Sequence, residues 1–269
     1  GRQVLLVLLG RWSKSIQWID LITGKQNITR VTGKDPAGNE LNNLNHVFSV
    51  VVDSLSTPSH KEVWLPCGFH GHVVNEEWIS EYGRIVDLKT MQVEAGPKLP
   101  IAGGACVAAP IRVKGPDHPE HICVFGGTQG SHDTGTYLPY SACYDRVAQK
   151  WHYPFGRMPF GFDHGNIVHL PSGVCDPSDP ERILVFNFRT EPYGTPHSEI
   201  MAFDMPSSPW SDEDLNSLDA ETPGKWYTYS NISYSGREDV VNAPRDASGL
   251  AIANNYRSII NFGGVHYYN

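Results

Sequence analysis

The sequence is short of charge, and the charge it carries is mostly acidic. Asp, Glu, Lys and Arg make up 19% of its 269 residues, with 21 basic side chains against 29 acidic ones; about 25% charged is usual for a globular chain. No cluster of Lys and Arg occurs, so the concentrated basic face that a nucleic-acid partner requires is missing. Long apolar runs are missing too. The longest, residues 4–9, falls far below the ~20 residues that cross a bilayer. Polar turn residues follow it with no small-residue cleavage pattern, so it reads as a strand and not as the core of a signal peptide. There is no CxxC, which argues against a zinc ribbon or thioredoxin-type chemistry. G-x-S-x-G, a P-loop, G-x-G-x-x-G and H-E-x-x-H are all absent as well.

Cysteines are few and odd in number. Of the five, Cys67, Cys106, Cys123 and Cys143 lie in apolar runs and read as buried thiols, which behave as small hydrophobes. Cys123 and Cys143 also fall on candidate neighbouring strands, so a cross-strand disulfide is the alternative. What the chain has in quantity is glycine (26), proline (20) and aromatic residues (11%), a balance that favours many strands and turns over long helices.

A pattern in this material repeats. Apolar runs end at Gly10, Gly68, Gly127, Asn187 and Gly264, spaced by 58, 59, 60 and 77 residues. An apolar-Asp pair follows in four of them: Ile19-Asp20, Val86-Asp87, Tyr144-Asp145 and Phe203-Asp204. The long last interval contains residues 207–224, acidic and rich in Pro and Ser, which read as a surface insertion. Each unit divides into four strand candidates; ACVAAPIRV, HICVFGG, YSACYDR and KWHYPF form one set. Four-stranded antiparallel sheets without helices bury both faces only by stacking on neighbours, the physical logic of a propeller. Blade boundaries are expected near 1–34, 44–100, 103–158, 164–234 and 245–269. In this frame the glycines open a sharp turn, the Asp accepts from turn amides, and a Trp covers the gap between sheets. Trp151 holds that place in the third unit, and Trp226 is preferred to Trp210 in the fourth.

The diglycine Gly126-Gly127, the pair Tyr144-Asp145 and Trp151 six residues later resemble Kelch repeats. The resemblance implies an all-β fold, a β-propeller of four-stranded antiparallel blades. The chain begins at a second strand and ends after a second strand, seventeen strands in all. A portion of a six- or seven-bladed propeller is therefore expected. The segment YDRVAQKWHYPFGRMPFGFDHGNIVHLPSG is also similar to blades of galactose- and glyoxal-oxidase-type propellers. Those enzymes use a copper held by Tyr and His and a Tyr cross-linked to Cys. Their ligand motifs find no counterpart here, so none is carried over.

In a propeller, binding residues gather on the loops between second and third strands. Here those loops supply His70, His72 and Trp78; His132 and Tyr137; Arg189, Tyr193 and His197; and His266 and Tyr267. Aromatic and polar groups on a rigid scaffold suit a protein or glycan partner. His70, His72, His132 and Asp133 match no recognised metal-ligand spacing, so no metal or cofactor is assigned. The expected function is a non-catalytic recognition or assembly module. The alternative is a secreted radical-copper oxidase or carbohydrate-active propeller. Two N-x-[ST] sequons, at Asn27 and Asn231, fall on candidate outer strands and are glycosylation candidates, pointing to a secretory or extracellular setting. A cytoplasmic adaptor is the alternative there.

Overall fold

The computed structural model describes residues 4–7, 14–57, 59–71, 77–131, 134–174, 176–190, 195–197, 199–208, 210, 224–231, 249–253 and 258–262. Every regular element among the described residues is a β-strand. The chain divides into two compact units, Gly1–Ala105 with Gln129–Gly135, and Cys106–Thr128 with Thr136–Asn269.

The first unit holds two sheets. One is β1 (Val4–Val7), β2 (Ser15–Asp20) and β3 (Gln26–Arg30), paired in chain order. The other contains β4 (Val50–Asp53) and β5 (Lys61–Leu65), and then, after a small ribbon of β6 (Phe69–His70) and β7 (Trp78–Ile79), β8 (Tyr82–Asp87) and β9 (Val93–Lys98). Its order is β4-β5-β8-β9, antiparallel throughout. Period-two alternation is plain in β4, where Val50 and Val52 are buried and Val51 between them is exposed. Ile16, Val31, Leu41, Leu44, Val63, Leu65 and Val86 form one core between the two sheets.

The second unit repeats the plan. One sheet is built from β10 (Val107–Ile111), β11 (His121–Phe125), β14 (Ser141–Asp145) and β15 (Lys150–His152), with a ribbon of β12 (Thr128–Gln129) and β13 (Thr136–Tyr137) between its second and third strands. The next is built from β16 (Asn166–Leu170), β17 (Arg182–Phe186), β20 (Glu199–Asp204) and β21 (Trp226–Asn231), with a ribbon of β18 (Arg189–Thr190) and β19 (Thr195–Pro196). A final pair, β22 (Gly249–Ala253) and β23 (Ser258–Phe262), follows. The second strand β11 is buried at every residue, which a sheet covered on both faces demands of an apolar run.

Local backbone chemistry explains the repeat. At the hairpin from third to fourth strand, Oδ1 of Asp20 accepts from the amides of Ile22 and Thr23, Asp87 from Lys89 and Thr90, and Asp145 from Val147 and Ala148. The same hairpins put Gly24, Met91 and Gln149 in the left-handed region, at φ 69°, 57° and 53°. Asp204 departs from the rule: the Arg182 guanidinium and the Tyr227 hydroxyl donate to it, because the insertion replaces the tight turn.

At the end of the second strand, Gly126 has φ 64° and a Cβ there would meet the Phe162 carbonyl at 2.6 Å. Asn187 takes the matching position with φ 52°. It stands for the first glycine of the pair and not the second, since both follow the last residue of their strands. Trp226 lies opposite Phe203 as Trp151 lies opposite Tyr144, so the two tryptophans are equivalent. The Trp226 indole donates to the Phe155 carbonyl at 3.0 Å and packs edge-on against Phe125, closing the gap between the two four-stranded sheets of this unit. Trp210 packs on Phe155 and Phe203 beside it.

Cys123 and Cys143 face each other across β11 and β14 and are joined by a disulfide. Cys67 and Cys106 are disulfide-bonded as well. The buried-thiol reading is therefore corrected for these four. Burial of each sulfur was foreseen, but direct opposition in the strand register brings Cys123 and Cys143 within bonding reach.

Candidate functional site

The connections between second and third strands are not irregular loops. In the three four-stranded sheets, each begins as a two-residue ribbon offset from the main sheet by the kink that ends the second strand. In the first unit Gly68 makes the offset: a Cβ there would lie 2.7 Å from the Asn45 carbonyl. Phe69 then exchanges both backbone hydrogen bonds with Asn45 and pairs across the ribbon with Ile79. His70 follows, and it is buried. Its Nδ1 lies 2.8 Å from the Asn43 carbonyl, which can only accept, so Nδ1 carries the proton and Nε2 faces the Asp35 carboxylate at 3.7 Å. Burial pushes the His70 pKa down, and the nearby Arg84 charge adds to that.

Asp35 and Arg84 anchor this corner. Arg84 is fully buried, and its five N–H groups are satisfied by the carbonyls of Leu41, Glu40, Tyr82 and Gly83 and by Asp35 Oδ2 at 3.3 Å. Asp35 in turn accepts from the amides of Ala37 and Asn39. Above the buried network stands Trp78, paired with His70 across the ribbon and 51% exposed. Its ring centroid is 6.0 Å from that of His70, and its backbone bridges to Ser131.

In the second unit the ribbons are rooted on Asp163. Arg189 Nε donates to Oδ1 at 2.6 Å and Nη2 to Oδ2 at 3.2 Å, while the Thr128 hydroxyl donates to Oδ2 at 2.6 Å. His164 Nδ1 lies 3.0 Å from the same oxygen. Desolvation alone would raise the Asp163 pKa, but His164 and Arg189 outweigh it and hold the carboxyl at about 2. His197 stacks on Phe188 and Phe160, with Nε2 at 2.5 Å from the Thr190 hydroxyl.

Of the residues expected to bind, Trp78 is exposed and His197 half-buried, whereas the side chains of His70, Tyr137 and Arg189 are buried and hold the ribbons in place. His72, His132, Tyr193, His266 and Tyr267 lie outside the described residues. Sequence reasoning missed Asp35, Arg84 and Asp163. A signal for Arg84 existed: period-two alternation in β8 puts it on the same face as the core residue Val86, where an arginine must be paired.

At the opposite end of the strands, the first unit carries a groove of about 550 Å³. It is lined by Trp18, Asn27 and Thr29 on one side and by His60, Leu88 and Met91 among others. Asn27 is exposed and lies directly across from Trp18. Asn231 ends β21, and its side chain lies outside the described residues.

No family model matches the chain, and no curated protein matches it. Solved structures do: 123 chains are similar to it. One of these is the structure of YjhT, alike over 98% of this chain and 70% of that one, with a TM-score of 0.63 and 14% sequence identity. At that identity the likeness shows the fold alone. Together with the four-stranded antiparallel sheets it establishes an all-β fold of the β-propeller type.

Proposed function

We propose that this chain is a non-catalytic Kelch-type propeller module that recognises a protein or glycan partner through the ribbons between its second and third strands. One observation carries the reading. Trp78 is an aromatic side chain half open to solvent, on a two-residue ribbon whose root is fixed by the buried Asp35, Arg84 and His70. A rigidly held, exposed Trp loses little entropy on binding and offers a large apolar face, the usual profile of an interface hot spot. The disulfide of Cys123 and Cys143 and the exposed sequon at Asn27 support a secretory setting. Cys67, Cys106, Cys123 and Cys143, being disulfide-bonded, are not open to a Tyr–Cys radical cofactor, which consumes a free thiol.

A photo-crosslinking amino acid placed at position 78 tests this, with position 28 as control. Ile28 is 65% exposed on β3, away from the ribbons. Discrete adducts from native extract at position 78 but not 28, competed by wild-type protein and not by Trp78→Ala, are the expected result. Adducts at 28 alone, or full competition by Trp78→Ala, would move the binding face elsewhere.

A further inference from the structure

A buried cluster lies at the other end of the third sheet, far along the strands from its ribbon. His121 opens β11, Asp145 ends β14 and His152 ends β15. Strand periodicity puts all three on the face that also carries Cys123 and Cys143, because Cys143 lies opposite both Cys123 and His152. All three residues are buried, and their ligand-type atoms lie within 4.8 Å of one another. Asp145 divides its labour. Oδ1 accepts the two turn amides, and Oδ2 faces Nε2 of His121 at 3.5 Å and Nε2 of His152 at 3.8 Å. The His121 side chain is only 3% exposed, and among the described residues its Nε2 stops short of a hydrogen bond to Asp145, at 3.5 Å. A buried polar group left without its hydrogen bond is costly, so a buried imidazole aimed at a carboxylate without bonding it needs a reason.

We propose that His121, Asp145 and His152 form a binding site for a divalent transition metal of the zinc class, with Lys114 as its internal competitor. Two imidazoles and one carboxylate are a borderline nitrogen and oxygen donor set suited to zinc. Ligand atoms about 2.0–2.1 Å from a tetrahedral ion stand about 3.3 Å apart, so the separations of 3.5 and 3.8 Å from Asp145 Oδ2 are already close to that value, and the two imidazoles, whose ligand atoms lie within 4.8 Å of one another, close on the ion by rotation of their side chains. The disulfide ties β11 to β14 beside the donors, so little order has to be created on binding.

Lys114 gives the site its character. Its ammonium lies 3.1 Å from Asp145 Oδ2 and supplies the positive charge that a buried carboxylate requires when no metal is bound. The side chain is 19% exposed and comes from the connection after β10, so its long stem can withdraw to water as the ion enters. The bound ion would then clamp three strands at the outer end of the sheet.

The test is calorimetric titration of the chelator-treated full chain with Zn²⁺, and visible absorption with Co²⁺ as a reporter of nitrogen and oxygen coordination. One equivalent should bind to the wild type, and His121→Ala should weaken binding by about a hundredfold with the disulfide intact by mass. Lys114→Met removes no ligand and should bind about tenfold more tightly than the wild type, because the competing ammonium is gone. Absence of binding by both wild type and Lys114→Met would overturn the proposal. So would wild-type affinity in His121→Ala, which would place the ion elsewhere.

Discussion

Protonation of Asp163 removes the carboxylate charge that faces the buried Arg189, and this makes the residue an acid-sensitive point in the second unit. Its folded pKa, about 2, lies below the ordinary aspartate value of 3.8. The stability this contributes is present above pH ~4 and disappears as the pH falls from about 4 through about 2. A shift of that size corresponds to about 2 kcal/mol. Acid titration followed by urea unfolding should show that loss in the wild type. Asp163→Asn should show a flatter acid limb and be less stable at pH 7 by about 3–5 kcal/mol, since the buried Arg189 loses the carboxylate charge to which its Nε and Nη2 donate. A wild-type acid limb in Asp163→Asn would show that another carboxylate governs it.

Hairpins set the next scale. The turns after Asp20, Asp87 and Asp145 share an aspartate that satisfies two amides and a residue with positive φ four positions on. Met91 and Gln149 occupy that position at the cost borne by any residue with a Cβ, about 1–2 kcal/mol. Met91→Gly should raise stability by roughly 0.5–1 kcal/mol, glycine's greater freedom in the unfolded chain offsetting part of the gain. Asp87→Ala should lower stability by about 1–2 kcal/mol through the two lost amide bonds. Thermal denaturation of the two variants, expected to move in opposite directions, checks the pair.

Whole sheets are cross-linked as well as stacked. The Cys123–Cys143 disulfide joins the second and third strands of its sheet across a sequence separation of 20 residues, which by loop-closure entropy is worth about 3 kcal/mol. Conversion of both residues to Ala should lower the denaturation midpoint by the corresponding amount without changing the strand content seen by circular dichroism. A larger collapse would mean that the sheet depends on the bond to fold at all. The same bond fixes the platform on which His121, Asp145 and His152 stand, so loss of the disulfide should weaken metal binding beyond its effect on stability.

The strands, their order and their turns were legible in the sequence because each depends on chemistry within a few residues. Alternation chose the buried face of β4, an aspartate closed each tight hairpin, and glycine or asparagine marked the kink after β11 and β17. Sixty-residue spacing then fixed which strands were equivalent. Burial of His70, Tyr137 and Arg189 was not legible, nor was the joining of His121 to Asp145 and His152. Those depend on partners about 24 to 35 residues away: Asn43 and Asp35 for His70, Asp163 for Arg189, Asp145 for His121. A histidine or arginine in a polar loop looks the same in sequence whether it points to water or into a neighbouring strand. Strand register and the stacking of sheets decide which carboxylate or carbonyl it meets, and desolvation then makes that pairing obligatory.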